Sequence, residues 1–280
     1  MTEWNAPGYA RIAGLQEAMA AEVLSLLDLK GTKSVLDLGC GNGKVTAEIA
    51  ARVREGTVVG VDFSADMIAF ASAHFGPTVL PNLRFETGDV RRLRFREEFD
   101  LVVSFNALHW IPDQDNALQS IRAAIKPNGL AQLRLVPAGK RKSLENVIEE
   151  TRLSANWVRY FQDFSDPYLH LTPEQYGALA ERNGLHVRRI HTEDKAWDFK
   201  SHEAFLAFGS VTFTCGRETR IRHRCLGALP CCGRGATERG EYLQVLSDGC
   251  HSFGWFFCHV DVSQQPPFAG ESVHTGKKLL

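Results

Sequence analysis

The sequence predicts a doubly wound α/β fold: a mostly parallel sheet, a helical cap, and a last strand that is missing. Three observations carry this. The apolar run Val35-Leu36-Asp37-Leu38 ends in Gly39-Cys40-Gly41-Asn42-Gly43 and leads into a helical pattern from Lys44 to Arg54. Further apolar runs, each closed by a polar turn, follow at the spacing of an α/β repeat. Near Cys215 the composition changes and the apolar periodicity is lost.

Val35 to Leu38 reads as a strand buried on both faces. The three glycines make a tight turn and let a ligand approach the backbone closely. Asp37, at the strand's end, is placed to meet a cation or a hydroxyl. The spacing excludes two nucleotide loops. Lys44 stands where the dinucleotide fingerprint needs its last glycine, and no G-K-[ST] follows for a P-loop. Val58 to Val61 is the second strand, closed by Asp62-Phe63-Ser64. An acid there can accept hydrogen bonds from both ribose hydroxyls of a nucleoside. Ser64 is placed to cap a helix whose apolar stripe is Met67, Ile68 and Ala71.

Leu83 to Thr87 is the third strand, closed by Gly88-Asp89-Val90. Asp89 can accept from an adenine amine while Val90 packs on the ring. Phe99 to Ser104 is the fourth strand, running into Phe105-Asn106-Ala107-Leu108-His109-Trp110. Lys126 to Leu130 reads as a turn into a fifth strand, Ala131 to Val136. Each of Asp37, Asp62 and Asp89 taken alone could be an ordinary cap or turn residue. Three at successive strand ends argue for one pocket. Cys40 reads as a small packed residue of that turn rather than a nucleophile, with no adjacent His. His109 and Trp110 are candidates to position a substrate at the pocket mouth, and Trp110 reads equally well as a hydrophobic lid.

The 280 residues suffice for one large domain, or one domain with an appendage. A net charge of −1 gives no electrostatic footprint for nucleic acid. No apolar run is long enough to span a membrane, and the first residues lack the pattern of a secretory signal. The expectation is a cytoplasmic protein with reduced thiols and no membrane partner. Leu15, Met19, Val23, Leu26 and Leu27 form the stripe of an amphipathic N-terminal helix. Trp4 and Tyr9 precede it, placed either to fold over a cofactor or to dock on the surface.

The order acid-x-Gly-x-Gly-x-Gly after a first strand, with acids closing the second and third, resembles the class I S-adenosylmethionine-dependent methyltransferases. The resemblance implies a Rossmann-like fold with S-adenosyl-L-methionine held by Asp37, Gly39, Cys40, Gly41, Gly43, Asp62, Phe63, Asp89, Val90 and Asn106. The loop Asn106 to Trp110 is not the N/D-P-P-Y/F loop of nucleobase and amide methylation. W-N-A-x-x-Y near the start, S-F-N-A-L-H-W after the fourth strand, and Pro167 to Tyr176 resemble the trans-aconitate methyltransferase group, over roughly residues 1–215. Juvenile hormone acid methyltransferases look similar. The implied reaction is O-methylation of a small carboxylic acid, with N- or C-methylation of a metabolite as the alternative. A carboxylate is already nucleophilic, so no base is required and orientation does most of the work. Its anchor is expected among Arg152, Arg159, Trp157 and Tyr160, in the cap segment Leu144 to Tyr168, with Arg159 first.

The chain reads as a methyltransferase domain over 1–215 and an aberrant tail over 216–280. Six of seven cysteines lie between Cys215 and Cys258, and four arginines crowd Arg217 to Arg224. The family's last strand reads like F-K-F-Y-Q-M-D-V. Codons exist for Gly240 to His251 that, read one base later, spell E-N-T-F-K-F-Y-Q-M-D-V. A frameshift near Cys215 is therefore expected, and with it an unpaired sheet edge; a cofactor-binding but inactive remnant is then the alternative to an active enzyme. Cys225, Cys231, Cys232, Cys250 and Cys258 near His223, His251 and His259 include no C-x-x-C pair, so no metal site is expected.

Overall fold

The computed structural model describes residues 21–25, 27–29, 31–139, 143–162, 168–169, 171–199, 201, 204–205, 208, 252–264 and 274–275. Strands and helices alternate through the first half: β1 (Ser34–Leu38), α1 (Lys44–Arg52), β2 (Thr57–Asp62), α2 (Ala65–Phe75), β3 (Leu83–Thr87), β4 (Phe99–Phe105), α3 (Gln114–Ala124) and β5 (Ile125–Leu135). Then come α4 (Leu144–Leu153), α5 (Pro173–Arg182), β6 (His186–Asp198), β7 (Ser252–Ser263) and the two-residue β8 (His274–Thr275). Among the described residues the sheet has the order β3-β2-β1-β4-β5-β7-β6-β8. β1 to β5 are parallel, and β7 runs antiparallel between β5 and β6.

The central strands carry branched apolar residues on both faces because helices cover both faces. Val35, Leu36, Leu38, Val102 and Val103 are wholly buried. One core joins β4, β5 and β7 to α3 and α5 through Ile121, Leu133, Leu179 and Val260. The other joins β1 and β2 to α1 and the helical residues 21–25 through Ile49, Val58 and Leu24. The helix starts follow local chemistry. The Ser64 side chain accepts from the Met67 N–H, as its position predicts. Reciprocal caps form between Ser143 and Asn146 and between Thr172 and Gln175, with Pro173 opening α5.

Two expectations are corrected. The last strand is present. β7 pairs with β5 from Leu130↔Ser263 to Leu135↔Cys258 and with β6 along its whole length. Phe257, Cys258, Val260 and Val262 are buried. The sheet edge that the tail was expected to leave open is filled by residues 252–263 of that tail, in the frame as it stands. The frameshift expected near Cys215 and the proposed domain boundary there fall within residues 209–251, which lie outside the described residues. Second, β5 begins at Ile125 rather than Ala131. The predicted turn Lys126 to Leu130 is instead an irregularity inside the strand, where the register with β4 shifts between Phe99 and Leu101. Pro127 sits in that bulge, where no ladder N–H is needed.

Candidate functional site

The predicted cofactor residues lie at the C-terminal ends of β1, β2, β3 and β4. Gly39, Gly41 and Gly43 all have positive φ, at 72°, 54° and 80°. The turn is tied down by Gly39 and Cys40, whose N–H groups both donate to the Val61 carbonyl at 2.8 and 3.1 Å. A Cβ at Gly39 would lie 2.2 Å from the Ala107 Cβ, and one at Gly43 would lie 2.6 Å from that of Ala71. At Gly41 it would meet nothing within 4 Å. The turn is therefore packed below and open at Gly41, which is the cradle a ligand needs.

Asp62 borders that opening. One carboxylate oxygen accepts from the Gly41 N–H and the other from the Ser64 N–H, each at 2.9 Å. These bonds fix the orientation of the carboxylate at the edge of the opening. Phe63, beside it, is exposed. Asp37 plays a different part. It is buried and accepts from the Thr46 hydroxyl at 2.7 Å. Burial, with a contribution from the Asp62 charge, pushes its pKa up to about 7, against the Thr46 bond. The Cys40 thiol is pushed well up by burial and by the same two carboxylates, which fits a packed residue and not a nucleophile.

Asp89 caps the short turn Val90–Arg92 and is ion-paired with Arg91 at 2.6 Å. That bond, more than any other cause, lowers its pKa. Val90 is buried against the core. Asn106 follows β4 with φ 58°, a conformation asparagine tolerates. Its N–H donates to the Arg134 carbonyl at 2.8 Å, and its side-chain oxygen accepts from Arg134 Nε at 3.2 Å. His109 is buried in the turn Leu108–Trp110, with Tyr168 stacked 6.2 Å from it and 4.3 Å from Trp110. The Leu169 N–H donates to the His109 carbonyl, which ties this loop to the segment before α5.

The cap arginines divide. Arg152 is buried and held bidentately by Glu149. Arg159 is exposed, its guanidinium turned to the Tyr160 hydroxyl at 2.8 Å. Trp4, Tyr9 and the rest of residues 1–20 lie outside the described residues; Val23 and Leu27 of the predicted stripe are buried. Cys258 and His259 alternate to opposite faces of β7, Cys258 into the core with its thiol pushed up to about 12 by burial. The sequence reading passed over one group, Arg134 with Phe257, His259 and His191. Arg134 is wholly buried and its guanidinium lies 4.1 Å from the Phe257 ring centre. A polar residue near the end of the apolar β5 run, with the alternation Phe257, His259, Asp261 in β7, was the available signal.

The strand order, the turn between β1 and α1 and the acid closing β2 are now joined by a direct match: residues 35–129 fit the sequence profile of a methyltransferase domain. The chain has the class I S-adenosylmethionine-dependent methyltransferase fold. The YcgJ protein from Bacillus subtilis superposes with a TM-score of 0.67 at 15% identity, over 89% of this chain and 99% of that one. At that identity the likeness concerns the fold. A protein of Invertebrate iridescent virus 6 named as a methyltransferase is 26% identical over 79% of this chain and 81% of its own length. The trans-aconitate 2-methyltransferase of Deinococcus radiodurans is 36% identical over 53% of this chain and 55% of its own. That of Shigella dysenteriae is 28% identical over 59% and 61%. The chain thus spans little more than half the length of these two relatives. Among the described residues no helix is long and apolar enough to cross a membrane.

Proposed function

We propose that this protein transfers a methyl group from S-adenosylmethionine to a carboxylate oxygen of a small molecule. The observation that carries the proposal is the open turn at Gly41 beside the fixed carboxylate of Asp62. It is supported by the likeness to trans-aconitate 2-methyltransferases. In this reading Asp62 accepts the ribose hydroxyls, with Phe63 alongside. Asp89 and Val90 flank the adenine, and Gly39, Cys40, Gly41 and Gly43 pass beneath the amino acid part. Asp37 braces the turn through Thr46, and Asn106 closes the far wall. When bound, the cofactor supplies a methyl on a sulfonium sulfur, and the acceptor oxygen forms its C–O bond as the S–C bond breaks. No side chain has to remove a proton. The residues orient the acceptor and keep water out, which accounts for most of the acceleration in such a reaction. His109 and Trp110, packed with Tyr168, form the wall from which an acceptor is positioned.

Turnover of methyl-labelled S-adenosylmethionine against matched panels of small carboxylic acids and small amines tests this. Label is expected in one or more acids. Label confined to amines, or retained by the cofactor with every acceptor, would overturn the carboxylate reading.

A further inference from the structure

One face of the sheet changes character halfway across. Over β1 and β2 it is apolar and packs on α1 and Leu24. Over β5, β7 and β6 it carries polar rows. Register pairing sets Phe105, Arg134, His259 and His191 side by side on adjacent strands, and Gln132, Asp261 and Arg189 in the row beneath. Burying such groups is costly unless something compensates them.

The upper row is built. Arg134 is wholly buried, stacked on Phe257 and bonded to Asn106 at the end of β4, next to Ala107 and the glycine turn. His259 is 7% exposed, and its ring stacks on that of His191 at 4.5 Å. The buried His259 Nε2 and His191 Nδ1 have no hydrogen-bond partner among the described residues. The nearest carboxylate oxygen recorded for His259 is that of Glu193, 3.8 Å away, and Glu193 is itself bonded to Lys195 at 2.7 Å.

We propose that Arg134, His259 and His191 form the anionic-group subsite for the acceptor, receiving a carboxylate of the substrate at the end of β5. This deepens the carboxylate reading and rests on it. The row starts at the cofactor's side of the sheet and offers one permanent cation and two imidazoles, donors suited to a carboxylate and not to an amine. The charged groups facing His259 are Arg134 from β5, His191, Arg189 and Glu193 from β6, Asp261 from β7 and Glu22 from the helical residues 21–25. Burial first, then His191 and Arg134, push the His259 pKa down to about 3, so the ring is neutral when the subsite is empty. A carboxylate arriving between these groups reverses the repulsion and favours a proton on the ring. Acceptor binding is therefore accompanied by proton uptake.

The test uses the full chain saturated with S-adenosylhomocysteine, with trans-aconitate as probe and its neutral trimethyl ester as control. Calorimetry in two buffers of different ionisation heat reads proton uptake, and imidazole C–H resonances read His259 and His191. Trans-aconitate is expected to bind with proton uptake and to shift both rings, and the ester to do neither. His259→Asn and Arg134→Lys should each weaken trans-aconitate by about ten-fold or more, the loss of one charge-assisted bond. Retained S-adenosylhomocysteine affinity in His259→Asn shows that the fold survives. Trans-aconitate bound without proton uptake, with unchanged affinity in both variants, would overturn the subsite and leave the methylation proposal standing. Ring shifts and proton uptake without methyl transfer to any acid would keep the subsite and sink the methylation proposal. No binding of the acid to S-adenosylhomocysteine-loaded protein would overturn the subsite outright.

Discussion

Asp37 and Asp62 sit at adjacent strand ends, yet their surroundings assign them different work. Asp62 is partly exposed and held by two backbone N–H groups, at the rim of the opening where a ligand hydroxyl could reach it. Asp62→Ala should weaken S-adenosylhomocysteine by about 2 kcal/mol, the scale of a lost charged acceptor. Calorimetry with unchanged affinity would remove that role. Asp37 is buried, with its pKa raised to about 7 against an ordinary 3.8. Its folded pKa lies above its unfolded one, so the folded state holds the extra proton between those values. Stability from this group is present below about pH 4 and is lost as pH rises toward about 7. His259, depressed from 6.5 to about 3, works in the opposite direction over much of that range. The wild-type profile therefore mixes the two, and the clean readout is a difference. Subtracting the stability of Asp37→Asn from that of the wild type, by denaturant titration, should give a value that falls from pH 4 to 7. A flat difference would mean that Asp37 is not raised.

The glycines of the turn after β1 let a ligand approach the backbone closely. The structure gives a second reason for glycine there. A Cβ at Gly39 would strike Ala107, 2.2 Å away, on top of the strain of positive φ. Gly39→Val should therefore cost about 2–4 kcal/mol of stability as well as cofactor binding. Ala107→Gly should recover part of the stability, and no recovery would place the clash elsewhere. For β7, Val260→Ala should cost about 2 kcal/mol, as for a wholly buried branched side chain. A loss near zero, measured by urea unfolding, would show that β7 adds little to the core. The elements that sequence revealed best were local ones. Ser64 with Met67, Ile68 and Ala71 defines α2 without reference to anything distant. β7 was missed because it is specified by distant pairing, across more than a hundred residues to β5 and more than fifty to β6, and its neighbours in sequence give no periodicity. Arg134 was missed for the same reason: its meaning comes from Phe257 and His259, which only the sheet brings to it.

At the scale of the whole molecule, the sheet divides the labour. β1, β2 and β4 end in the turn and carboxylates proposed to hold the cofactor, and β5, β7 and β6 continue the same edge into the row proposed to hold the acceptor. β7 joins the two halves, since it both completes the core through Val260 and Val262 and carries His259 on its other face. This is why the presence of the last strand bears on function as well as on stability. The most direct measurement of the whole account is transfer of labelled methyl from S-adenosylmethionine to trans-aconitate and related small acids, followed by mild alkaline hydrolysis of the product. The account predicts label in a product that releases it as methanol under base, because the bond formed is an ester. It also predicts loss of that product in Asp62→Ala. Label that stays on the product after alkali, or protein that binds S-adenosylhomocysteine yet labels no acid, would contradict it.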